Sequence, residues 1–157
     1  MKLIQSILDS RSIEEILRMA KKNLECDGHV APVLFLQLQT GKQLMTPLHF
    51  PEITEERRRY LTGLGFALLR DGKILAEAVM VLETWFVRTK GNLAPLTMAP
   101  SQHPQRKEAV VLIGRNATKS RSVIVMQPFS RGSKGEPIWE KVEGNLSEDD
   151  PKASLDS

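Results

Sequence analysis

The sequence predicts an α+β fold in one domain, with helices packed on a mainly antiparallel five-stranded sheet. Two observations carry most of this. Residues 74–87 (ILAEAVMVLETWFV) are apolar at nearly every position except Glu77, Glu83 and Thr84. A strand buried on one face alternates apolar with polar, so a run apolar on both parities has both faces covered. Its valines, Thr84, Trp85 and Phe86 favour a central strand over a buried helix. The second observation is a set of shorter runs at helical or strand spacing, divided by turn residues, on both sides of it. A chain of 157 residues suits one domain, here residues 1–144, followed by an acidic tail, 145–157, expected to be disordered.

Each element follows from local spacing. Leu3, Ile4, Ile7 and Leu8 predict a short first helical segment, broken at residues 9–12. Ser12 with Glu15 then forms a capping box, and Ile13, Ile16, Leu17, Ala20 and Leu24 make an apolar stripe. Asp27-Gly28 ends that helix. Residues 30–39 read as a strand with Leu34, Leu36 and Leu38 on one face, and 43–50 as a second strand after a turn at Thr40-Gly41-Lys42. Pro47 lacks a donor for a ladder, so that strand is expected to lie at an edge or to bend there. Thr54 caps a second helix with a stripe of Tyr60, Leu61, Leu64, Ala67 and Leu68, closed by Asp71-Gly72. Beyond the central strand, residues 92–106 hold three prolines and read as a long loop. Residues 107–114 and 122–129 form a hairpin, 131–135 is a flexible glycine-rich stretch, and 138–142 is a short final strand. The order α-β-β-α-β-β-β is similar to the layout of profilin-like and roadblock-like domains, an analogy that implies no function.

Charge is uneven. From Glu136 onward seven acidic residues face Lys141 and Lys152, a balance of −5, so the rest of the chain carries +8 of the total +3. A basic body admits a nucleic-acid or other acidic partner. The single cysteine, Cys26, excludes an internal disulfide and a cysteine-rich zinc site. The first ten residues lack the apolar core of a signal peptide, and no run reaches the roughly 18 apolar residues of a membrane span. The expectation is a cytoplasmic protein with no membrane and no cofactor.

Four groups of residues are candidates for chemistry. His29, His49 and His103 sit near element ends, where imidazoles serve as metal ligands, but they match no metal motif. Glu77 and Glu83 share a face about 20 Å apart, too far for a carboxylate pair; Glu83 beside Trp85 is the better single acid. Arg106, Lys107, Arg115, Lys119 and Arg121 could form a phosphate-binding surface around the hairpin, without the aromatics that stack on single-stranded bases. Gly132-Ser133-Lys134-Gly135 is too short for a P-loop.

Gly28-His29, Glu83-x-Trp85 and Pro104-x-Arg106-x-Glu108 resemble a family of small bacterial proteins of unknown function, over roughly residues 28–127. The resemblance implies no activity and no site residue. The sequence therefore predicts a non-enzymatic interaction or regulatory module, a homodimer or a partner of another protein, with the apolar hairpin as its sheet edge or face. Polyanion binding through the hairpin cations is the alternative. A small metal protein or enzyme using the histidines and Glu83 is the third.

Overall fold

The computed structural model describes residues 6–49, 55–56, 59–60, 63, 72, 74–87, 105–118 and 120–147. Among these, one helix, α1 (Ser10–Asp27), lies on an antiparallel sheet of seven strands: β1 (Val33–Leu38), β2 (Gln43–Pro47), β3 (Leu75–Phe86), β4 (Lys107–Asn116), β5 (Ser122–Arg131), β6 (Pro137–Trp139) and β7 (Glu143–Ser147). The sheet order is β2-β1-β3-β4-β5-β6, with β7 on the same side of β5 as β6 but further along it.

The fold is thus mostly β, which corrects the expected α+β arrangement of two helices and five strands. The helix expected from Ser12 is α1, but the short helical segment expected before it is overturned at Ile7 and Leu8, which lie in a turn. The second, from Thr54, falls largely on residues outside those described. Two strands exceed the expected five: β6, near the short final strand read at 138–142, and β7, whose Glu-Gly-Asn-Leu-Ser sequence has little β propensity. The pairing of β7 with the outer edge of β5, Ser122↔Ser147 through Met126↔Glu143, makes it a strand. It runs three residues past the boundary expected at 144.

The cap of α1 also differs from expectation. Asp9, in extended conformation, is the N-cap, and its carboxylate accepts the Ser12 N–H at 2.7 Å. Ser12 Oγ turns outward from the helix start and donates to the Ser6 carbonyl at 3.2 Å, while Glu15 pairs with Arg18. At the other end Gly28 takes a left-handed conformation (φ 80°) and donates to Leu24 O at 2.9 Å, as the Asp-Gly pair predicts. Asp9→Ala should lower stability by about 1 kcal/mol in urea unfolding, whereas Ser12→Ala should cost less than half of that.

The apolar stripe of α1 is as read from the sequence. Ile13, Ile16, Ala20 and Leu24 pack with Val79 and Val81 of β3, Val110 and Leu112 of β4, and Val123, Val125 and Phe129 of β5. On the other face of the sheet Leu36, Leu38 and Ala109 are buried, and Met80 and Leu82 are half-buried. Both parities of β3 are therefore at least partly covered, which is what its two-sided apolar run demanded. The expected hairpin is β4–β5, but it lies inside the sheet. β3 covers one side of it, and β6 with β7 cover the other.

Candidate functional site

The two carboxylates inside β3 have structural partners at opposite ends of α1. Both face the helix, on the same parity as Val79 and Val81. Glu77 Oε2 accepts from Ser6 Oγ at 2.6 Å, just before the helix. Ser6 Oγ also accepts from Leu8 N–H at 3.0 Å and from Arg121 Nη1 at 3.2 Å, while Arg121 Nη2 donates to Leu8 O at 3.2 Å. Glu83 Oε1 accepts the backbone N–H of Val30, just after the helix. These polar groups hold the two segments that flank α1 onto the sheet.

The basic candidates separate into two places. Arg106 and Lys107 stand at the start of β4, Arg115 near its end, and Arg121 just before β5. The eight steps from Lys107 to Arg115 span about 27 Å of extended chain, so these cations form no single surface. Lys119 lies outside the described residues. At the upper end of the sheet the Arg106 guanidinium stacks 4.9 Å from the Trp85 ring centroid, and Lys107 pairs with Glu140 at 3.3 Å. Beside them Arg131 makes a bidentate pair with Glu108, at 2.9 Å through Nε and 3.3 Å through Nη2. That hydrogen-bonded carboxylate raises the Arg131 guanidinium above its ordinary value, with a smaller contribution from the charge of Glu83. Arg131 Nη2 also donates to Gly28 O at 3.2 Å, a further tie to the end of α1. Together these residues border a cavity of about 360 Å³ in which Lys107 and Arg131 already have carboxylate partners.

The histidines do not form a cluster within the described structure. His29 is exposed after α1, with Nδ1 3.2 Å from Asp27 O, and the His49 N–H donates to Tyr60 Oη at 3.2 Å. His103 lies outside the described residues. No group of three or more His, Cys, Asp or Glu among the described residues is placed to hold a metal. The glycine-rich stretch is a closed turn. Glu136 returns its carboxylate to the Lys134 N–H at 2.9 Å, and the Gly132 and Gly135 N–H groups bond to carbonyls within the turn.

The feature the sequence did not point to lies between α1 and the β1–β2 edge. The helix covers β3, β4 and β5, so the same face of β1 and β2 is left as the floor of a groove beside it. Two adjoining hollows, of about 480 and 390 Å³, share Ile16 and Phe35. The first is lined partly by Arg11, Glu15 and Gln43; the second is almost wholly apolar, with Met19, Val33, Met45 and Pro47. Met19 is 44% exposed and Met45 64%, large for methionines beside a core. The available signal was Met19, apolar yet off the helix stripe, together with Met45 on a strand expected at an edge or a bend. Flexible thioether side chains adapt to varied apolar ligands. No helix among the described residues is long and apolar enough to cross a membrane. Comparison with known protein families, curated proteins and solved structures finds no match for this chain.

Proposed function

We propose that the chain is a non-enzymatic interaction module whose contact surface is the groove between α1 and β1–β2. The observation that carries this reading is the exposure of Met19 and Met45 on the two walls of one apolar hollow. A site of a few hundred Å³ with apolar walls suits an apolar side chain or short segment. The polyanion reading is weaker on geometry, because Arg121 is engaged with Ser6 and Leu8 and the remaining cations stand at opposite ends of β4. The metal or enzyme reading would need His29, His49 and Glu83 to act together, and Glu83 is engaged with the Val30 backbone.

The test is fluorescence titration with the apolar dye 8-anilinonaphthalene-1-sulfonate. Saturable binding is expected, weakened roughly tenfold by Met19→Lys, since burial of a methionine corresponds to about 1.5 kcal/mol or more. The melting temperature should be unchanged in that variant, which separates the groove from general loosening. No saturable binding to the native chain would refute the reading.

A further inference from the structure

We infer that the occupant of this edge is a second copy of the chain, joined through antiparallel pairing of β2 with β2 about a two-fold axis at Met45. The inference rests on the interaction-module reading and names its partner.

The backbone of β2 sets the register. Leu38 N–H donates to Lys42 O and Leu48 N–H to Pro32 O, bonds that bracket the β1–β2 ladder. Antiparallel pairs alternate between bonded and non-bonded. Leu44 and Thr46 are therefore the residues bonded to Leu36 and Leu34. Gln43, Met45 and Pro47 direct their N–H and C=O groups away from β1, and all three residues are exposed. Among the described residues no strand pairs with that outer side.

Two symmetric registers use this edge, with four N–H···O bonds each. An axis at Leu44 sets Met45 against the partner's Gln43. An axis at Met45 is the one inferred, because it sets the two 64% exposed methionines against each other. With Met45 opposite the partner's Met45, the two residues exchange two N–H···O bonds, and each Gln43 N–H reaches the partner's Pro47 carbonyl. The missing proline donor then falls at the two ends of the ladder, where its only cost is one unfilled Gln43 carbonyl on each side. An axis at Gln43 would set Met45 against Gly41, whose N–H already bonds Leu38 O at 2.9 Å. An axis at Pro47 would have no donor at its centre. No charged side chain lies within Gln43–Pro47, so no like charges meet across the axis. Side chains directly opposed in an antiparallel pair share a face, so the Met45 pair would join the two groove floors. A ladder this short falls in the class of small, weak interfaces below the roughly 1,200 Å² of standard ones, so a monomer–dimer exchange is expected.

The experiment is light scattering across micromolar to millimolar concentrations, at low and high salt, combined with cysteine cross-linking. A dimer insensitive to salt is expected, and Met45→Lys should leave a monomer with the native melting temperature. In a Cys26→Ser background, Met45→Cys should form a disulfide dimer on mild oxidation, since opposed residues have Cα atoms about 5.5 Å apart, within disulfide range. Gln43→Cys in the same background should not, because its copies lie four residues out of register, about 14 Å apart. A native chain that stays monomeric, or a dimer that cross-links equally at both positions, overturns the inference. A monomer that still binds the dye overturns the second copy alone, whereas loss of dye binding would remove the groove reading itself.

Discussion

Gly114→Val is expected to destabilise the protein by about 3 kcal/mol, and Leu8→Ala by about 2–5 kcal/mol. Both act at one contact. Gly114 lies on the helix-facing side of β4, opposite Val79 and Val123. The fully buried side chain of Leu8 fills the space that a Cβ at Gly114 would enter. That Cβ would stand 2.6 Å from Leu8 Cδ2 and 3.2 Å from Val79 Cγ2, so the two extra methyl groups of valine would have to displace the leucine. Leu8 is held from behind by its own N–H bond to Ser6 and by Arg121 on its carbonyl, which limits how far it can retreat. Removing the leucine should relieve the clash. In urea unfolding, the double variant Leu8→Ala/Gly114→Val should lose at least 1 kcal/mol less than the sum of the two single losses. Strict additivity would show that the two residues do not share this space. Domains have about 5–15 kcal/mol in total, so either single change should be readily measured.

Much of the sheet could be read from local pattern, because strand parity is a backbone property. The two-sided apolar run of β3, the strand at β1 and the β4–β5 hairpin all follow from periods in the sequence, although Gln37, read onto a polar face of β1, is buried. Pro47 narrowed β2 to an edge or a bend, because its missing donor has a direct topological meaning, and the sheet order makes it an edge. What escaped depends on tertiary pairing. β7 is a strand because the outer side of β5 was available to it, and its own residues do not announce this. Ile7 and Leu8 have helical spacing, yet Asp9 caps the helix behind them and releases both to wedge between α1 and the sheet. The sequence also placed the interaction surface on the hairpin, since apolar strands look like free edges until their neighbours are known. The groove is equally invisible locally: Met19 and Met45 are 26 positions apart, and only the lateral placement of α1 brings them to the same hollow.

Glu83 gives the sharper test of how polar residues inside an apolar strand should be interpreted. From sequence, a glutamate beside Trp85 is a candidate for acid chemistry. In the structure its carboxylate bonds to the N–H of Val30, a buried residue at the point where the chain leaves α1 for β1. A hydrogen bond to a charged acceptor contributes about 1.5–3 kcal/mol, and a buried N–H left without an acceptor costs a similar amount. Glu83→Ala should therefore lower stability by about 2–3 kcal/mol, while Glu83→Gln, which keeps a side-chain oxygen in reach, should lose about 1 kcal/mol. Hydrogen exchange supplies a readout that is local. The Val30 amide should exchange much faster in Glu83→Ala, with the amides of central β4 changed only by the global loss of stability. Slow exchange at Val30 in that variant would show that the carboxylate is not its acceptor and return Glu83 to the list of groups available for chemistry. Accelerated exchange confined to Val30 and its neighbours would establish the residue as the tie between helix and sheet, and with it the placement of α1 that leaves the β1–β2 groove open.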